Sequence, residues 1–188
     1  MSSMFEGVRK AEIINISSFN THKVTSFYRL FNGCLLLSNL ILPEVWYTDN
    51  LISTELMFCQ CEQLINFHLN NFNTSKVVNM YGMFTNVPAS TIDISNFNTS
   101  NVKNMSSMFS GCTNLTSLDL SHFDVSNVTN LASMFSRCKN LTLLNIPNWD
   151  VRKATSLASM FNECSSLVDL NMSNFKTRDV TNMSDMFY

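Results

Sequence analysis

Charge is scarce in this 188-residue chain: Asp, Glu, Lys and Arg together make up 14% of it, and the formal net charge is −2. A nucleic-acid binder needs a basic stripe to meet phosphates, and none is present. No segment sets clustered Lys/Arg beside an apolar face, which argues against a membrane-surface helix. The longest apolar run, Cys34 to Pro43, is interrupted by Ser38 and Asn39 and is too short to insert across a bilayer. The opening Met1-Ser2-Ser3-Met4-Phe5 lacks the charged and apolar regions of a signal peptide. Glycine and proline are rare, at 4 and 3 residues, and no Gly-rich phosphate loop or nucleophile elbow occurs. These absences lead us to expect neither an enzyme nor a cofactor protein.

What is abundant has one cause. The chain holds 12 Met and 15 Phe, with much Asn and Ser, because one unit recurs along it. A Met-Phe pair or a close variant ends at Phe5, Phe31, Phe58, Phe84, Phe109, Phe135, Phe161 and Phe187, giving spacings of 25–27 residues. The repeat implies units at about 5–30, 31–57, 58–83, 84–108, 109–134, 135–160 and 161–187, forming one domain over 1–188.

The unit from Phe109 reads FSGCTNLTSLDLSHFDVSNVTNLASM. Leu118 and Leu120 flank Asp119 with strand alternation, so the leucines point inward and Ser117, Asp119 and Ser121 outward. Phe123 follows, then the turn-forming Asp124-Val125-Ser126-Asn127. Val128, Leu131, Met134 and Phe135 then recur at i, i+3, i+6 and i+7, which predicts a short helix with Asn127 or Ser126 as its N-cap. The inward pair recurs as Ile14/Ile16, Leu40/Leu42, Phe67/Leu69, Ile92/Ile94, Leu144/Ile146 and Leu170/Met172. An aromatic column reads Phe19, Phe72, Phe97, Phe123, Trp149 and Phe175, disturbed in the second unit by Val45-Trp46-Tyr47. The expected fold is therefore an α/β solenoid: a leucine-rich-repeat-like stack of about seven coils, with a parallel sheet on one face and short helices on the other. One coil cannot close its own core, so neighbours must stack.

The string V-T-N-M-S-x-M-F-x-x-C-x-x-L-x-x-L-x-L-S-x-F-[DN], seen from Val102 to Asp124, resembles the repeat of the BspA-like bacterial surface proteins, relatives of leucine-rich repeats. The resemblance covers essentially the whole chain, weakening around Trp46 and Val87. It implies a cell-surface or secreted solenoid used for adhesion or for host and matrix contact.

Both ends are in repeat register and carry no polar cap, so we expect a segment of a longer protein, or neighbouring repeats or chains against both ends. Cys34, Cys61, Cys112, Cys138 and Cys164 share one column, and only Cys59 stands apart. Stacked coils give these side chains parallel vectors that suit a bridge poorly, so free buried thiols are expected. Cys59-Gln60-Cys61 has no partner pair, and His22, His68 and His122 fall in different columns, so no metal site is expected. Asp93 and Asp119 are equivalent outward positions on adjacent coils. Carboxylates about 5 Å apart would raise one pKa, as in glycosidases, or share a cation; a polar sheet face without a pocket is the simpler reading. The N-x-[ST] triplets at Asn73, Asn98, Asn114 and Asn127 are glycosylation acceptors in form, and turn and capping chemistry in the first reading.

Function then falls to the exposed strand face, where solenoids bind. The candidate partner-binding residues are Asn66, His68, Asn70, Asp93, Asp119, Asn145, Asp169 and Asn171, with Trp46 and Tyr47 as a local aromatic anchor. Trp46 has a competing role as filler of the disturbed core column. A polar, weakly acidic face suits extended contact with a protein or glycan ligand. The alternative is a structural repeat within an envelope, appendage or virus particle.

Overall fold

The computed structural model describes residues 1–66, 69 and 71–188. The expected inward Phe67 and the candidate site residues His68 and Asn70 lie outside the described residues. Among the described residues four short strands occur: β1 (Ile13–Asn15), β2 (Asn39–Ile41), β3 (Ser117–Asp119) and β4 (Leu143–Asn145). β1 pairs with β2 and β3 with β4, both parallel, and Leu118 faces Leu144 while Asp119 faces Asn145. A further parallel bridge joins Leu143 to Asp169. Within β3 the alternation is as the sequence suggests, with Leu118 buried between exposed Ser117 and Asp119.

A second ladder runs up another side of the stack. Parallel bridges join Ser26, Ser53, Asn79, Asn104, Asn130, Ser156 and Asn182 in succession. At each rung the Ser or Asn side chain accepts the amide two residues on, as Asn104 Oδ1 does from Ser106 N at 3.0 Å and Asn130 Oδ1 from Ala132 N at 3.0 Å. These are Asx and Ser turns, and they account for the Asn and Ser richness of the repeat. Of the triplet asparagines, Asn98 accepts from Ser100 N in the same way, whereas Asn127 Nδ2 donates to the Ser100 carbonyl one coil earlier.

The helices expected after this ladder do not form; no helix occurs among the described residues. Where a helix would close N–H to the carbonyl four residues back, alternate amides here leave the coil. Ser107 N donates to Ala132 O, Phe109 N to Met134 O and Gly111 N to Ser136 O, at 2.7–2.9 Å. The amides between them close four-residue turns instead, as Met108 N does on Met105 O, Ser110 N on Ser107 O and Cys112 N on Phe109 O. Such a turn series needs a left-handed residue every fourth position, and the pairs Arg29/Gly33, Gly82/Asn86, Ser107/Gly111 and Ser133/Arg137 all have φ between 52° and 71°. For a residue with a Cβ that conformation costs about 1 kcal/mol or more. The hydrogen bonds gained on the neighbouring coil offset it. At Gly82 space adds to φ, because a Cβ there would lie 2.6 Å from Leu56 Cδ2.

The turn stack keeps the inward positions that a helix would have used. Val128, Leu131, Met134 and Phe135 are all fully buried. The Met-Phe phenylalanines form a continuous file: Phe31–Phe58, Phe84–Phe109, Phe109–Phe135 and Phe135–Phe161 stack with ring centroids 5.6–5.8 Å apart and planes within 11°. In the other aromatic column Phe72 stacks on Phe97 at 5.9 Å and Trp149 on Phe175 at 6.4 Å. Trp46 takes its place in it, 3% exposed, between Phe27 at 5.2 Å and Phe72 at 5.0 Å. The extra residue of that unit is absorbed outside the core.

All six cysteines are free. Those of the shared column each donate Sγ–H to the phenylalanine carbonyl one coil earlier: Cys34 to Phe5 at 3.1 Å, Cys61 to Phe31 at 3.2 Å, Cys112 to Phe84 at 3.1 Å, Cys138 to Phe109 at 3.1 Å and Cys164 to Phe135 at 3.0 Å. Burial pushes the Cys34 and Cys164 thiols up to about 11 and Cys112 up to about 12; Cys61 and Cys138 are raised further for the same reason. The thiol thus serves as a small core group that also ties adjacent coils together.

Candidate functional site

The strand face carries side chains that the core does not use. Along each strand the inward residue is apolar and its neighbours project outward. Parallel stacking therefore lines up equivalent outward residues about 4.8 Å apart. Asp93, Asp119, Asn145, Asp169 and Asn171 are all exposed, as is Asn66.

Within this face the polar groups are partly organised. Asp119 Oδ1 accepts from Ser121 N at 2.9 Å and from Asn145 Nδ2 on the next coil at 2.9 Å. Asp93 Oδ1 accepts from Ser95 N at 3.2 Å and from Ser95 Oγ at 2.8 Å. Asn171 Oδ1 accepts from Ser173 N at 3.0 Å. The Asp119 carboxyl lies below the usual carboxylate range, first because the Ser121 backbone N–H stabilises its charged form, with Asn145 and His122 adding to the effect. A donor-rich turn, not a neighbouring carboxylate, therefore sets the ionisation of Asp119. Among the described residues no group of three or more His, Cys, Asp or Glu side chains could hold a metal ion.

Two grooves adjoin on this face. One of about 380 Å³ runs over β3 and β4, with Leu143, Pro147, Asp119, Asn145, Asp169 and Asn171 on its walls. The other, of about 270 Å³, lies over Thr91, Asp93, Ser95 and His122, and the two share Ser117, Leu118 and Asp119. The groove brings together five of the candidate residues: Asp93, Asp119, Asn145, Asp169 and Asn171. Leu143 was not among the candidates, yet it stands 59% exposed on the groove wall. Its signal was visible as an apolar residue, shared only with Ile13, in a column otherwise holding Asn39, Asn66, Thr91, Ser117 and Asp169.

The aromatic anchor separates into two fates. Trp46 is core, as described, and offers nothing to a partner. Tyr47 is 38% exposed, and its ring lies on that of His22 with centroids 3.6 Å apart. Neither Trp46 nor Tyr47 lines the grooves over β3 and β4.

Two solved structures are similar to this chain. The leucine-rich repeat protein of T. pallidum (TpLRR) aligns at 20% identity, covering 89% of this chain and 70% of its own, with a TM-score of 0.48. A leucine-rich repeat protein from Bacteroides ovatus ATCC 8483 aligns at 16% identity over 100% of this chain, with a TM-score of 0.49. The chain spans about half (55%) of that protein's length. No curated protein matches the sequence. The sequence does match, over residues 1–117 and 80–188, the family described as "Mycoplasma protein of unknown function, DUF285", and the chain belongs to that family.

Proposed function

We propose that the chain is a non-catalytic repeat scaffold of about seven coils whose strand face recognises a protein or glycan ligand. The observation that carries this reading is the pair of adjoining grooves between Thr91 and Asn171, walled by exposed Asp93, Asp119, Asn145 and Leu143. Side chains held at a fixed coil spacing present a pre-organised surface, and pre-organisation lowers the ordering cost of binding. The resemblance to BspA-like surface repeats supports adhesion at a cell surface as the setting. Further repeats or chains packed against exposed Val168 and Phe187 belong to the same reading.

Immobilised matrix proteins and a glycan array provide the test. Asn145→Arg fills the groove, and Thr129→Arg alters an exposed position on the other ladder without touching it. For any ligand retained, Asn145→Arg is expected to weaken binding at least tenfold while Thr129→Arg leaves it within twofold. Loss caused by Thr129→Arg alone would place recognition elsewhere on the stack.

A further inference from the structure

The charges of this chain are sorted by face. It contains 12 Lys and Arg, yet none falls in the strand-side segments 12–18, 38–44, 65–71, 90–96, 116–122, 142–148 and 168–174. Those segments hold Glu12, Glu44, Asp93, Asp119 and Asp169 against no Lys or Arg, with His68 and His122 as their basic side chains, so the face is negative at neutral pH. Basic residues concentrate instead in the segments between the aromatic column and the second ladder, among them Lys76, Lys103, Arg152, Lys153, Lys176 and Arg178. The ion pairs follow the same division: Glu6–Arg29, Glu163 with Arg137 and Lys139, and Asp150–Arg152 all lie off the strand side.

Building on the recognition reading above, we infer that the occupant of the strand-face groove is a basic, extended peptide segment of a partner protein. Three features argue for that chemistry. The groove has carboxylates on its walls at Asp93, Asp119 and Asp169, and the low pKa of Asp119 keeps a negative charge there at and below neutral pH. Exposed Leu143 and half-buried Pro147 give one stretch of the wall an apolar contact, which a free cation would not use. The face also repeats about every 4.8 Å along the stack, while alternate side chains of an extended chain recur about every 6.6–6.8 Å. The two spacings differ, and the long, flexible side chains of Lys or Arg at alternate positions take up the difference, reaching Asp93 and Asp119 on successive coils and Asp169 two coils beyond, with the aliphatic residues laid toward Leu143. Acidic polymers, including sulfated glycans, meet like charge on this face, and like-charge juxtaposition works against binding.

Fluorescence anisotropy on the intact chain tests this with a labelled ten-residue peptide of alternating lysine and valine, its glutamate counterpart, and a heparin fragment. The double substitution Asp119→Asn with Asp169→Asn keeps the oxygen that accepts from Ser121 and Asn145, and its thermal unfolding is compared with that of the parent. The expected result is binding of the lysine peptide that weakens at least tenfold in the double variant, falls with added salt, and is unchanged by Lys103→Gln. No binding of the lysine peptide, or equal binding by parent and double variant, overturns the inference. So does a glutamate peptide or heparin fragment that binds as tightly and is displaced by Asn145→Arg; the strand face would then remain the recognition surface with a different partner chemistry. Failure of Asn145→Arg to affect any ligand would remove both.

Discussion

Replacing Phe109 with alanine is expected to cost about 3–5 kcal/mol, the range for removing a fully buried aromatic side chain. Phe109 has no exposed surface and stacks on Phe84 at 5.7 Å and on Phe135 at 5.8 Å, so both stacking contacts are lost with the ring. In a stack where each coil touches only its neighbours, a central gap also weakens the coupling between the two halves. Urea unfolding followed by circular dichroism reads both effects: a lower midpoint, and a transition that broadens or splits. Phe187, 63% exposed in the same file, serves as the comparison, and its replacement by alanine should cost under about 1 kcal/mol. Similar losses at the two positions would contradict the continuous file.

Alkaline pH should destabilise the chain steeply. The column thiols are raised above the ordinary thiol value of 9.0, Cys34 to about 11 and Cys112 to about 12, because burial penalises the thiolate. Below pH 9 folded and unfolded states both keep these protons, so the thiols add no pH dependence. Between about pH 9 and 11 the unfolded chain loses them and the folded chain does not. Stability then falls by roughly 1.4 kcal/mol per pH unit for each thiol still protonated in the fold. Several such thiols amount to a loss comparable with the total stability of a domain. Urea midpoints from pH 7.5 to 10.5 measure the slope. Cys112→Ala isolates the thiol contribution from that of the tyrosines and should make the slope shallower by about one thiol's share. An unchanged slope would mean that Cys112 ionises as readily folded as unfolded.

Much of this fold is legible in the sequence because a solenoid writes each structural column as a repeat. The inward leucines of the strands, the phenylalanine file and the cysteine column are all visible as recurrences of one residue type. The helix reading failed for a specific reason. Val128, Leu131, Met134 and Phe135 occupy inward positions in a turn stack as they would in a helix, so apolar spacing cannot separate the two. The discriminating signal lay elsewhere, in Asn and Ser at the rungs and in Gly33, Gly82 and Gly111 at left-handed positions. Trp46 misled for the opposite reason: an extra residue in its unit shifted the apparent register, while the aromatic itself stayed in the core column.

The candidate site was half legible. Outward columns follow from strand alternation, so Asp93, Asp119, Asn145, Asp169 and Asn171 could be placed on one face before any coordinates. Where along that face a groove opens depends on the height of neighbouring side chains. Leu143 and Pro147 beside Ser117 and Asn145 make that relief, and it has no signature in a single repeat. The sorting of charge by face is likewise invisible until the columns are known, although every residue responsible for it is in the sequence.

Neighbouring coils are joined through the Met-Phe segments by direct backbone hydrogen bonds, at the place where helices would otherwise stand. Through-hydrogen-bond scalar couplings in isotope-labelled protein identify the acceptor of each amide. The Phe109 amide nitrogen should couple to the Met134 carbonyl carbon, 25 residues ahead, as the 2.9 Å bond between them requires. A coupling from Phe109 to the Met105 carbonyl, the acceptor four residues back that an α-helix would use, would contradict the account.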